Sequence, residues 1–212
     1  MIDSNTTLHV IDHPLIADML AEARSTSTRP ATFRRLLSRI GTLLAYEATR
    51  DLPTDPSHVT TPLETMQVQR VRHPVTLVPI LRAGLGMADG IHALMPQAQM
   101  GHVGLVRNEE TLEPTTYYER LPGNVADGPV LVVDPMLATG GSAIAAVDIL
   151  KARGCRSIRL ISLVAAPEGV AALATAHADV HVYVAALDRE LNDKGYILPG
   201  LGDAGDRLYG TI

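Results

Sequence analysis

The stretch LVVDPMLATGGSA (131–143) holds the densest set of groups able to do chemistry. An apolar, β-branched run, Val130–Val133, ends in Asp134. Thr139, Gly140, Gly141 and Ser142 then lead into a helical pattern. Glycines let successive backbone N–H groups crowd around an anion, and a helix N-terminus adds partial positive charge and free donors. With the two hydroxyls, this is a cradle for a monophosphate beside a carboxylate. It is not a triphosphate loop, because the GxxxxGK[ST] pattern and its Lys are absent. The plainer alternative is a strand-to-helix turn in which Ser142 is an ordinary N-cap.

Two arginines end similar runs. Arg82 follows VTLVPIL (75–81) and stands close to Gly84 and Gly86, and Arg107 closes HVGLVR (102–107). A guanidinium offers a planar fork to phosphate oxygens, although a surface carboxylate is the commoner partner of any single Arg. Near the C-terminus, Gly200, Gly202 and Gly205 match G-x-G-x-x-G. Seven residues follow Gly205, too few for the βαβ unit of a dinucleotide site. Asp203 and Asp206 in that segment also suit plain turns. His177 and His181 are predicted to straddle a helix end and a strand start, which spoils helical metal-ligand spacing. His9 and His13 are expected to be solvated in an N-terminal arm, and Cys155 to be packed rather than nucleophilic.

The elements that must position these groups follow from periodicity. Residues 14–24 read as a helix with Pro14 near its start. Residues 29–51 read as a longer one, with Phe33, Leu36, Leu37, Ile40, Leu43 and Leu44 forming one apolar stripe. Thr60–Val71 alternates in places and is expected to be a strand. Five short apolar runs (75–81, 102–107, 129–137, 159–166 and 180–187) then alternate with helical stretches. That order predicts a parallel sheet covered on both faces, with a ligand beyond the carboxyl ends of its strands. The polar segment 108–123, with Tyr117 and Tyr118, reads as a hairpin or mobile flap.

The chain has 212 residues, 46% hydrophobic and 19% charged, which fits one globular domain. A net charge of -5 and six Tyr, one Phe and no Trp argue against nucleic-acid binding. A lone cysteine points to a reducing, cytoplasmic setting, with no signal peptide expected. No apolar run is long enough to span a membrane.

Asp134–Ser142 resembles the phosphoribosyl-diphosphate (PRPP) motif of the type I phosphoribosyltransferases in its uracil-subgroup form. Pro135 stands where most members carry a second acid. PILRAGLGM (79–87), GLVRNEETLEP (104–114) and GYILPGLGDAGDRLYGT (195–211) are similar in order and spacing. The resemblance implies an α/β type I phosphoribosyltransferase fold: one domain over 1–212, a mainly parallel central sheet flanked by helices, and an arm at 1–30. It also implies a flexible hairpin flap at 108–123 and a small hood at 189–212.

The reaction so implied joins N1 of uracil to the phosphoribosyl group of PRPP, giving UMP and diphosphate. The implied PRPP-binding residues are Arg82, Arg107, Asp134, Pro135, Met136, Leu137, Ala138, Thr139, Gly140, Gly141, Ser142 and Asp203. Of these, 139–142 would take the 5-phosphate, Asp134 the ribose hydroxyls, and Arg82 and Arg107 the diphosphate. A non-proline cis peptide is often found at the Arg82 loop in such enzymes. Ile197, Gly202, Asp203 and Ala204 would bind uracil. Arg107 and Asp203 would be catalytic, Asp203 assisting loss of the N1 proton. Mg²⁺ is expected through PRPP and water, with no protein ligand. Homodimers or larger assemblies are implied, and some relatives are activated by GTP, although no GTP site is legible here. A PRPP-sensing RNA-binding regulator and an enzyme for another base remain as alternatives.

Overall fold

The computed structural model describes residues 7–107 and 114–211. In chain order the first elements are β1 (Leu8–Val10), α1 (Pro14–Arg24), α2 (Pro30–Ala48), β2 (Thr54–Thr60), β3 (Thr65–Val71), β4 (Thr76–Leu81) and α3 (Leu85–Leu94). Next come β5 (Gln99–Met100), β6 (His102–Arg107), β7 (Pro114–Arg120), β8 (Val130–Val133), β9 (Met136–Leu137) and α4 (Gly141–Ala152). The last are β10 (Ile158–Ala165), α5 (Pro167–Ala176), β11 (His181–Leu187), β12 (Glu190–Leu191), β13 (Ile197–Leu198) and α6 (Ala204–Tyr209).

The main sheet runs β1-β11-β10-β8-β4-β6-β7, with β5 beside β4 and β9 beside β10. Every pairing in it is parallel except β6 with β7. Its inner strands are buried on both faces, as their unbroken apolar runs require. Leu77, Leu131, Val133 and Ile161 face a core completed by α1, α2, α3 and α6. Val78, Val130, Val132 and Leu160 face a second core with α4. Helix α2 starts at Pro30 in the first turn and buries Phe33, Leu36, Leu37, Ile40 and Leu44 along one stripe. Its approach to α3 is close: a Cβ on Gly90 would lie 2.3 Å from the Ser38 carbonyl oxygen.

Two expectations change. Thr60–Val71 is not one strand. It is the second half of an antiparallel hairpin, β2–β3, in which Thr60 pairs with Thr65. The Thr61 hydroxyl forces the reversal by accepting from the N–H groups of Leu63 (3.1 Å) and Glu64 (3.0 Å). His9 is not solvated in a loop. It lies in β1, stacked on Tyr183 at 4.5 Å between ring centroids and hydrogen-bonded to His181 at 2.9 Å. Burial and the neighbouring His181 ring hold its pKa below the usual histidine range. His13 caps α1 by accepting from the Leu15 N–H at 3.1 Å. Cys155 is buried, as expected, with its thiol 3.6 Å from the Val125 carbonyl. Among the described residues no helix is long and apolar enough to cross a membrane.

Candidate active site

The site is built first by the carboxyl ends of β4, β8 and β9. The ladder of β8 opens at Pro135, which has no N–H to donate, and resumes in the same register at Met136. Asp134 stands at that opening, its backbone N–H donating to the Ile161 carbonyl at 3.1 Å. The chain then turns through Ala138 and Thr139 to Gly140, whose φ of 87° is the left-handed conformation that suits glycine. Gly140, and not Ser142, is the N-cap of α4, with no side-chain cap bond; Ser142 lies inside the first turn. The N-terminal amides of α4 are therefore not consumed by a capping side chain. Asp134 and residues 136–143 line a small cleft of about 70 Å³.

The cradle is braced from behind by α5. A Cβ on Gly169 would lie 2.2 Å from the Ala138 carbonyl oxygen and 2.9 Å from that of Leu137. Only glycine permits this backbone contact, and the sequence signalled it only as a glycine beside Pro167 at a helix start.

Asp134 is half-buried at the bottom of the cleft. Desolvation pushes its carboxyl up to about 7, the Asp203 carboxylate adds to the rise, and the Met136 N–H opposes it. Asp203 caps α6, accepting from the Asp206 N–H at 2.9 Å. The turn role and a place in the site are thus compatible for Asp203.

A larger cavity, of about 310 Å³, opens beside the cradle. Met136 and Ala138 form a wall common to both hollows. Ile197, Gly202, Asp203 and Ala204, singled out from sequence, all line it. Ala83 and Tyr196, inside the motif segments but given no role, line it too, as does Lys194, outside them. Gly202 has a φ of 79°, and the Leu198–Pro199 peptide is cis.

Arg82 follows β4 across a cis Leu81–Arg82 peptide. Gly84 lets this loop close on the sheet, since a Cβ there would sit 2.4 Å from the Val133 carbonyl oxygen. The exposed Arg82 guanidinium lies 5.6 Å from the centroid of the Tyr209 ring, and among the described residues no ion pair includes it. The Tyr209 hydroxyl donates to the Arg82 carbonyl at 3.0 Å, a support that sequence reasoning missed. Arg107 closes β6 on the same side of the sheet; its side chain, and residues 108–113 of the expected flap, lie outside the described residues. Tyr117 and Tyr118 sit exposed on β7, an edge strand.

Among the described residues no three His, Cys, Asp or Glu side chains converge on a point that would hold a metal. Among the described residues, the carboxylates that line the two hollows are Asp134 and Asp203.

A phosphate-sized cradle sharing a wall with a backbone-lined cavity, at the carboxyl rim of a parallel sheet, is an arrangement with close relatives. The family model for uracil phosphoribosyltransferase matches residues 10–211. The chain is 55% identical over 203 residues to the uracil phosphoribosyltransferase of Pediococcus pentosaceus, covering 95% of this chain and 97% of that one. It is 52% identical over 205 residues to that of Geobacillus kaustophilus, covering 96% and 98%. Among solved structures, the AQ2163 protein of Aquifex aeolicus superposes with a TM-score of 0.92 at 38% identity, covering 95% of this chain and 97% of that chain. A hypoxanthine-guanine phosphoribosyltransferase of Bacillus anthracis superposes at 0.50 with 12% identity, over 76% of this chain and 79% of that chain, a likeness of fold alone. A family match that spans almost every described residue, joined to a site of this shape, places the chain in the uracil phosphoribosyltransferase family.

Proposed function

We propose that the protein transfers the 5-phosphoribosyl group of PRPP to N1 of uracil, giving UMP and diphosphate. The observation that carries this reading is the wall shared by the phosphate cleft and the larger cavity at Met136 and Ala138. A sugar phosphate seated in the first hollow presents its anomeric carbon toward the second.

In this reading the amides of 139–142 grip the 5-phosphate, and Pro135, Met136, Leu137 and Ala138 shape the floor below the sugar. The Asp134 carboxylate accepts from the ribose hydroxyls. Arg82 and Arg107 take the diphosphate and stabilise the charge it gains on leaving. Ile197, Gly202 and Ala204 present backbone groups to the uncharged edge of uracil, which suits a cavity lined by glycines. The N1–C1 bond forms as the C1–O bond breaks, its electron pair departing with diphosphate, and the N1 proton passes to the Asp203 carboxylate. The flap 108–123 closes over PRPP and excludes water.

Mg²⁺ fits this site as an ion carried on PRPP. It keeps several waters and favours phosphate oxygens, and a site with Pro135 in place of a second acid offers no protein cage. Asp134 and Asp203 are the groups that would face its waters; when bound it offsets the charge of the diphosphate.

Assembly into homodimers or larger oligomers belongs to the same proposal. The β2–β3 hairpin projects with Leu63 94% exposed at its tip, and an isolated two-stranded hairpin is marginal in water. A hollow of about 670 Å³ bordered by Tyr46, Val71, His73, Leu94 and Met95 lies at its base. A cytoplasmic setting fits the single cysteine.

The test is direct: purified protein, PRPP, Mg²⁺ and labelled uracil yield labelled UMP. Absence of UMP across a range of pH, with and without GTP, contradicts the proposal. Stimulation by GTP in the same assay supports an effector role for it, and sedimentation gives the assembly state.

A further inference from the structure

The cavity beside the cradle is lined largely by backbone from the hood, so its shape depends on what holds that backbone still. The turn through Leu198–Pro199 and Gly200 is gripped from outside the hood. Asp188 is 8% exposed. Arg24, from the end of α1, meets it with both terminal nitrogens: Nη2 lies 2.6 Å from Oδ1 and Nη1 2.8 Å from Oδ2. The same Nη1 donates to the Gly200 carbonyl at 2.6 Å. The Gly200 N–H donates to Asp188 Oδ2 at 3.0 Å.

One guanidinium and one carboxylate thus hold both polar groups of a single backbone residue. That residue has a φ of 62°, and a Cβ on it would stand 2.2 Å from the Ile197 carbonyl oxygen. The turn is therefore closed tightly on Ile197, which lines the cavity, and Gly202 and Asp203 follow directly. A buried ion pair is a poor device for stability, since apolar packing serves as well or better. A planar fork that fixes the orientation of a peptide is what such a pair does best.

We infer that Arg24 and Asp188 are positioning residues for recognition of the base: through Gly200 they set the orientation of the backbone donors and acceptors that read the edge of uracil. The inference rests on the assignment of this cavity to uracil. Neither side chain lines the cavity or the phosphate cleft, so the effect is selective for one substrate.

The experiment uses the full chain with Asp188→Asn and Arg24→Lys. Asparagine keeps the shape but not the charge; lysine keeps the charge but not the fork. The inference expects KM for uracil to rise about tenfold in Asp188→Asn, with the Kd for PRPP in the absence of uracil within about twofold of wild type. Arg24→Lys, which keeps the charge, should raise KM for uracil by a smaller factor. Should Asp188→Asn not fold, the KM split in Arg24→Lys carries the test, because its remaining ion pair protects the buried carboxylate. An unchanged uracil KM in folded variants overturns the inference, and so does a parallel rise for both substrates, which marks general loosening. A wild-type chain that makes no UMP overturns the parent reading instead, and with it the role of the pair.

Discussion

The two halves of the site are held by different means. The phosphate cradle is held locally, by a strand end, a left-handed glycine and a helix start within Asp134–Ser142, with Gly169 pressed behind it. The hood is held at long range, by arginine side chains that reach its carbonyl groups. Arg24 donates to Gly200 and Arg34 to Leu208 at 2.6 Å; Arg207, within the hood, donates to Leu201 at 2.7 Å. Arg207 also donates to the Ser25 carbonyl at 2.7 Å and stacks 4.2 Å from the centroid of the Phe33 ring. A phosphate needs a dense fan of donors, which backbone near a helix end supplies. A neutral base needs donors and acceptors at fixed positions, so a segment without a long helix or strand must be anchored from elsewhere.

If that contrast is right, distant damage to the cradle must act through backbone alone. Gly169→Ala drives a methyl group into the Ala138 carbonyl. Displacing the cradle by about 1 Å should lower kcat/KM for PRPP about 100-fold, with uracil KM nearly unchanged; steady-state kinetics with each substrate varied checks both values. Full activity in this variant would break the contrast.

Asp134→Asn separates charge from shape within the cradle. Turnover with PRPP should fall about tenfold or more, since a charged acceptor for two hydroxyls is lost. Stability should move the other way. Burial pushes the carboxyl up to about 7 in the folded chain, from an ordinary 3.8, so the folded state binds the proton more tightly. Its contribution to stability is fully present below the unfolded value and is lost as pH rises through about 7. The free Asn variant should therefore be more stable than wild type by on the order of 2–4 kcal/mol at pH 8. The gain should shrink toward pH 4. Thermal melts across that range, without PRPP, measure the trend.

The smallest effect is expected where the halves meet. Tyr209→Phe removes one hydrogen bond to the Arg82 carbonyl, worth about 1 kcal/mol. A fall of about fivefold in kcat/KM for PRPP is the expected result, with a fall in melting temperature of no more than about 2–4 °C. A larger loss for uracil than for PRPP would tie Tyr209 to the base cavity instead.

The same contrast explains what was legible in the sequence. The cradle could be read because its residue types and their order specify its backbone: Asp134, then Thr139, two glycines and Ser142 between an apolar run and a helix. The alternation of apolar strands with helices likewise gave the parallel sheet and its active rim. The plainer alternative, with Ser142 as cap, fails because the left-handed turn puts Gly140 there, although Ser is the better N-cap by type. Local pattern also ran the strand at Thr60–Val71 through the reversal at Thr61–Glu64 and left β2 unassigned. The anchors of the hood were invisible for a different reason. Arg24 and Asp188 are separated by 164 positions, and a lone Arg at the end of a helix carries no sign of the carboxylate it will meet.

The most direct test of the account is a crystal structure with PRPP and Mg²⁺ bound. The account predicts the 5-phosphate on the backbone N–H groups of residues 139–142, the Asp134 carboxylate on the ribose hydroxyls, and the anomeric carbon facing the cavity bordered by Ile197 and Asp203. A 5-phosphate bound by Arg82 instead, with those amides left to solvent, would contradict it.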